Sequence, residues 1–137
     1  MSIAADPFER TEVRDGMRIT WHQRITMDDG LVLRADVYRP IDGARCPVIL
    51  TYGIYGKGVA YQDGYPMQWE KMVTDYPEIL AGSTNQYQNW ETTDPERWVP
   101  HGYAVVRVDS RGAGWSPGFM DPACPKEPQD VYQCIEW

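Results

Sequence analysis

From residue 19 onward the chain alternates between apolar and polar positions. Ile19, Trp21, Ile25 and Met27 fall on one side of an extended strand, and Thr20, His22, Arg24 and Thr26 on the other. That is the two-residue period of β structure. Asp28-Asp29-Gly30 is a turn signal. Beyond it Leu31, Leu33, Ala35 and Val37 alternate with Val32, Arg34, Asp36 and Tyr38. The pattern predicts an antiparallel hairpin with one face on the core and one in water. On that reading His22 is a solvated sheet histidine. Residues 1–15, polar and charged, are expected to form a leading arm to a single domain over 16–137.

The period then changes. Pro40 to Ala44 is a turn, and Val48, Ile49, Leu50 and Thr51 form a short apolar run broken by Gly53, Gly56 and Gly58. A run of this length with glycines at its end reads as a buried strand of a parallel sheet. A second run, Tyr103 to Val108, ends likewise in D-S-R-G-A-G. Ligands of open α/β sheets bind at the carboxyl ends of such strands, which draws attention to Tyr55, set between glycine-containing turns. Between the two runs lies a long aromatic segment, 61–100, with Tyr61, Tyr65, Trp69, Tyr76, Tyr87, Trp90 and Trp98. It is too long for a plain connection and is expected to act as a lid or to pack against other material. Within it Met67 to Val73 reads as a short helix. Asp94-Pro95-Glu96 reads as a helix start, with a capping acid and proline in the first turn. Val131, Cys134 and Ile135 place an apolar stripe on a last helix beginning near Gln129. The sequence stops within that helix, so the expectation is an α/β fold incomplete in this chain.

Composition narrows the function classes. The length of 137 residues suits one domain, and a hydrophobic share of 42% suffices for a core. A net charge of −7 with no basic stripe argues against nucleic acid and against an anionic membrane surface. No run approaches the ~18 apolar residues of a membrane span, and the N-terminus lacks a leader's apolar stretch. Cys46, Cys124 and Cys134 form no C-x-x-C pair, so neither a disulfide framework nor a zinc site is expected. These features point to a cytoplasmic protein with neither metal nor organic cofactor.

Several motifs mislead. Gly114-Trp115-Ser116-Pro117-Gly118 matches the G-x-S-x-G nucleophile elbow. An elbow needs a strand directly before the serine and a helix directly after it. The residue after the nucleophile must also donate its backbone N–H to the oxyanion, and Pro117 has none. Gly112-Ala113-Gly114 lacks the third glycine of a dinucleotide loop, and Gly56-Lys57-Gly58 lacks the remainder of a phosphate loop. His101 has no acidic neighbour at a ligand spacing. Asp109, at the end of its strand, is either catalytic or, with Arg111 and Gly112 beside it, part of an ion-paired structural loop.

Four blocks together resemble the N-terminal portion of the CocE/NonD hydrolases. They are D-G-L-V-L-R-A-D-V-Y-R-P (29–40), P-V-I-L-T-Y-G-I-Y-G-K (47–57), H-G-Y-A-V-V-R-V-D-S-R-G-A-G-W-S-P-G (101–118) and D-V-Y-Q-C-I-E-W (130–137). These are serine α/β-hydrolases related to Xaa-Pro dipeptidyl-peptidases and cocaine esterase. The resemblance implies the N-terminal part of an α/β-hydrolase fold, an antiparallel hairpin leading into parallel core strands. It implies that Tyr55 donates its hydroxyl to the oxyanion, and that Asp109, Arg111 and Gly112 belong to a structural loop. The nucleophile elbow, the Asp and the His would follow Trp137, so this chain alone is expected to be inactive. The implied substrate is a small ester, amide or peptide. The competing expectation is a non-catalytic product or subunit that docks with a chain carrying the triad; a homo-oligomer stays open.

Overall fold

The computed structural model describes residues 6–137, and residues 1–5 of the expected arm lie outside the described residues. Five strands make one sheet: β1 (Arg10–Arg14), β2 (Met17–Thr26), β3 (Val32–Arg39), β4 (Val48–Gly53) and β5 (Ala104–Asp109), in the order β1-β2-β3-β5-β4. β1 to β3 form an antiparallel meander, β3 pairs antiparallel with β5, and β4 runs parallel to β5. The expected hairpin is β2–β3 and the expected parallel pair is β4–β5. The arm contributes more than expected, because Arg10–Arg14 pairs with Met17 to Trp21 across a tight Asp15-Gly16 turn.

Helices cover the sheet. α1 (Tyr61–Gly64), α2 (Pro66–Asp75) and α3 (Pro95–Trp98) lie in the long insert with two 3-10 turns, and α4 (Lys126–Glu136) closes the chain. α3 starts where the sequence places a cap: Asp94 Oδ1 accepts from Glu96 N at 3.1 Å, with Pro95 in the first turn. α4 begins at Lys126, one turn earlier than its apolar stripe suggests. It seats Cys134 on Ile25, Met27, Leu33, Ala35, Val106 and Val108. Each large apolar side chain buried there contributes about 1.5–3 kcal/mol. Burial pushes the Cys134 thiol up to about 11, so it stays protonated and acts as a small apolar group.

The hairpin keeps its wet face only beyond a bulge in β2, where Arg24 and Thr26 are exposed opposite buried Ile25. Met17, Ile19, Tyr38, Tyr87, Val99 and Val105 form a second cluster on the opposite side of the sheet. Residues Tyr87 and Val99 of the insert provide its cover. The alternation misled because β2 carries a bulge. Thr20 pairs with Val37 and Gln23 with Ala35, so Trp21 and His22 together face Asp36. One extra residue flips the face. Ile19 therefore joins the insert-side cluster while Ile25 joins the α4-side cluster.

Candidate active site

The carboxyl ends of β4 and β5 meet above the sheet, and a buried polar cluster ties their loops together. Lys57, in the loop after β4, is directed inward. Its Nζ lies 2.7 Å from Asp36 Oδ1, with both side chains 1% exposed. The same ammonium donates to His22 Nδ1 at 3.0 Å, and Asp36 Oδ1 also accepts from His22 N at 3.0 Å. A charged donor on Nδ1 requires that nitrogen to be unprotonated, so the ring is neutral. Burial first, and then the Lys57 charge, hold the His22 pKa below its ordinary value. His22 is thus part of this cluster rather than a solvated histidine. It occupies the bulge with φ of 55°, and its ring packs on Trp115 at a centroid distance of 4.2 Å.

That neutral state has a pH consequence. Unfolded His22 titrates near 6.5, while the folded ring resists protonation. Between these two pKa values the unfolded chain binds more protons, so stability falls as pH drops below about 6.5. The charged groups facing the ring are Lys57, Asp36, Arg34 and Asp109. His22→Asn, which tolerates the left-handed backbone, is expected to flatten this acid limb. Urea unfolding at pH 7.5 and 5.5 measures it; an unchanged slope in the variant would remove His22 as the cause.

Asp109, fully buried at the end of β5, binds backbone rather than a cation. Its Oδ1 accepts from Lys57 N at 2.6 Å and its Oδ2 from Trp115 N at 2.8 Å. It thereby joins the loop after β4 to the loop after β5, and burial holds its pKa above the ordinary carboxylate value. The expected ion pair with Arg111 goes elsewhere. Arg111 reaches α4, with Nε 2.8 Å and Nη2 3.0 Å from the Asp130 carboxylate, and Nη1 lies 2.9 Å from Asp29. These partners were hidden because they are 19 and 82 positions away in sequence. Gly112 is obligatory on two counts: φ is 76°, and a Cβ would lie 2.3 Å from Met120 N.

Ser116 is committed to structure. It is 5% exposed, its Oγ donates to Asp109 O at 2.7 Å and accepts from Arg34 N at 2.9 Å. Turns and irregular backbone, rather than a helix, directly follow it up to α4, in keeping with the argument from Pro117. Tyr55 is different. Its ring is 46% exposed, meets Tyr65 edge-on at 6.4 Å, and lines a cavity of about 110 Å³ beside β4. Thr51, Asn89, Trp90, Thr92 and Arg107 form much of the remaining wall. Asn89 Nδ2 donates to Gly56 O at 2.8 Å, so the insert holds the Tyr55 loop from above. Among the described residues, no group of three or more His, Cys, Asp or Glu is placed to hold a metal ion.

The sequence profile of the X-Pro dipeptidyl-peptidase (S15) family matches residues 29–137. The chain belongs to the S15 family. No curated protein matches it. Among solved structures, this S15 chain is similar to a CocE/NonD family hydrolase from Staphylococcus aureus, at 30% identity and a TM-score of 0.70, over 88% of this chain and 20% of that one. A second structure of a CocE/NonD family hydrolase from that organism gives 27% identity and a TM-score of 0.73, over 98% and 24%. An aminopeptidase from a marine sediment Thaumarchaeota archaeon shares the fold, at 20% identity and a TM-score of 0.55, over 99% and 21%. The S15 chain therefore spans between 20% and 24% of the length of these structures. The match with the CocE/NonD hydrolases accords with the α/β-hydrolase character of its sheet and with the N-terminal position inferred from sequence.

Proposed function

We propose that these residues form the N-terminal part of a serine hydrolase that cleaves ester or amide bonds through an acyl-enzyme. The observation that carries the reading is Tyr55. Its half-exposed phenol stands at the carboxyl end of β4, in a loop pinned by Asp109, Lys57 and Asn89, beside an open cavity. A phenol held in this way donates a hydrogen bond to an oxygen that gains charge in the transition state. A serine attacks the carbonyl, a histidine takes its proton, and Tyr55 with one backbone N–H stabilises the oxyanion; water then releases the acid. The serine, histidine and acid of this reaction lie outside the 137 residues, and the insert 61–100 serves as the lid. Among the described residues no serine hydroxyl is bonded to either histidine, and Ser116 is occupied. Substrates are small esters, amides or peptides. The three free cysteines support a cytoplasmic location, and no helix among the described residues is long and apolar enough to cross a membrane.

A second reading is favoured by one feature, the outer edge of β4, which among the described residues pairs with no strand and leaves Val48 56% exposed. It makes the chain a non-catalytic module that docks with a partner bearing the triad. A serine-directed fluorophosphonate separates the two. The gene product carrying these residues is expected to form one covalent adduct on a serine outside residues 6–137, and the 137-residue chain alone to form none. An adduct on Ser116 would contradict the mechanism. An adduct found only on a separate co-purifying chain would establish the module.

A further inference from the structure

The loop after β4 is anchored through its backbone, by Asp109 on Lys57 N and by Asn89 on Gly56 O. Neither bond acts on the Tyr55 ring. That ring is half-exposed, and exposed side chains change rotamer on the picosecond to nanosecond scale. A donor that serves an oxyanion has to stay aimed at it, so the phenol needs a hold of its own. Among the described residues, the aromatic ring paired with Tyr55 is that of Tyr65, with centroids 6.4 Å apart and planes at 81°. This is the edge-to-face arrangement that aromatic pairs prefer.

Tyr65 is itself held. It stands at the corner between α1 and α2, where its N donates to Tyr61 O and its O accepts from Trp69 N, both at 2.9 Å. Pro66 follows it, and a residue before proline is kept out of the helical region. The observed φ of −138° and ψ of 62° agree, so the corner is written into the sequence. The Tyr65 ring stacks on Trp90, with centroids 4.5 Å apart and planes at 30°. Tyr61 packs against both rings, at 6.2 Å and 5.4 Å. Asn89 closes the circuit: its Oδ1 accepts from Trp90 N at 2.6 Å, while its Nδ2 donates to Gly56 O at 2.8 Å. The contacts therefore run from Tyr55 through Tyr65, Trp90 and Asn89 back to the residue next to Tyr55. A closed circuit leaves the phenol fewer ways to move than a single contact would.

We propose that Tyr65 is a positioning residue for the oxyanion donor: its ring, braced on Trp90, holds the Tyr55 hydroxyl where charge develops. The insert is then a working part of the oxyanion site and not only its cover. Tyr65 touches no reacting atom and acts through Tyr55, so its effect vanishes when the Tyr55 hydroxyl is removed. The inference rests on the acyl-enzyme reading above.

The test is a double-variant cycle in the gene product carrying these residues, read as the nitrophenolate burst and the KM with a p-nitrophenyl ester. Tyr65→Leu, which removes the ring, is expected to slow acylation about 3–10-fold, the size of one aromatic pair, with KM nearly unchanged. Tyr65→Phe, which keeps the ring, is expected to match the parent. In the Tyr55→Phe background Tyr65→Leu is expected to cost nothing further. Thermal unfolding checks each protein, and Tyr65→Met takes the place of Tyr65→Leu should the latter fail to fold. A parental burst in Tyr65→Leu alongside a slow Tyr55→Phe, an equal loss in both backgrounds, or a raised KM with unchanged acylation would overturn the proposal and leave Tyr65 as packing or as a substrate contact. Failure of the underlying reading is a different result: Tyr55→Phe alone then keeps the parental burst, which removes this inference with it.

Discussion

Lys57→Met is expected to cost the protein about 3–5 kcal/mol, the penalty for stranding one member of a buried ion pair. The ammonium and the Asp36 carboxylate are both 1% exposed and 2.7 Å apart. Methionine fills nearly the same volume but leaves Asp36 with only the His22 N–H as a donor. A domain of this kind has about 5–15 kcal/mol of stability in total, so the loss is a large fraction. The double variant Lys57→Met/Asp36→Leu is expected to recover part of it, because an apolar pair of similar volume removes the uncompensated charge. Recovery is partial, since the His22 N–H loses its acceptor. Urea denaturation of the three proteins measures both effects. A single-variant loss below about 1 kcal/mol would place the pair in a solvated site.

Much of the fold was legible in the sequence, for reasons that can be named residue by residue. The β4 and β5 runs are short, apolar and followed by glycines, so local pattern and tertiary role agree. The Asp94-Pro95-Glu96 cap uses only neighbouring residues and was readable from them. The hairpin's buried second face was not. Ile19 and Ile25 stand six positions apart, as regular alternation allows, and the bulge at Trp21 and His22 that sends them to opposite faces leaves no mark in the hydropathy. One signal was present. Asp36 stands beside Arg34 in the wet-looking register of β3, and a mid-strand acid flanked by Ala35 and Val37 invites a search for a buried cation. Nothing in the Gly-Lys-Gly setting marks Lys57 as that cation, because Asp36 lies 21 positions away in sequence. The partner of Arg111 could not be read from its neighbourhood, because Asp130 reaches it only once α4 has packed on the sheet.

The candidate site follows the same division. Tyr55 was visible as a residue, by its place after a strand and by resemblance to the CocE/NonD hydrolases. What holds it in place was not visible. Three side chains from separate parts of the chain fix the loop around it: Asp109 on Lys57 N, Asp36 on Lys57 Nζ, and Asn89 on Gly56 O. Such a frame costs nothing to reorganise when charge develops, which is the condition under which a single donor matters most.

The second large effect is accordingly expected at Tyr55, where the phenol is 46% exposed and contributes little to packing. Tyr55→Phe removes one hydroxyl and leaves the loop's anchors in place. In the gene product carrying these residues, the acylation rate with a p-nitrophenyl ester is expected to fall about 10²–10³-fold, as for other oxyanion donors, with KM nearly unchanged. Stopped-flow measurement of the nitrophenolate burst in both proteins tests the account most directly. A slowed burst with an intact thermal transition is the predicted result. A burst within about twofold of the parent's would mean that Tyr55 stabilises no oxyanion.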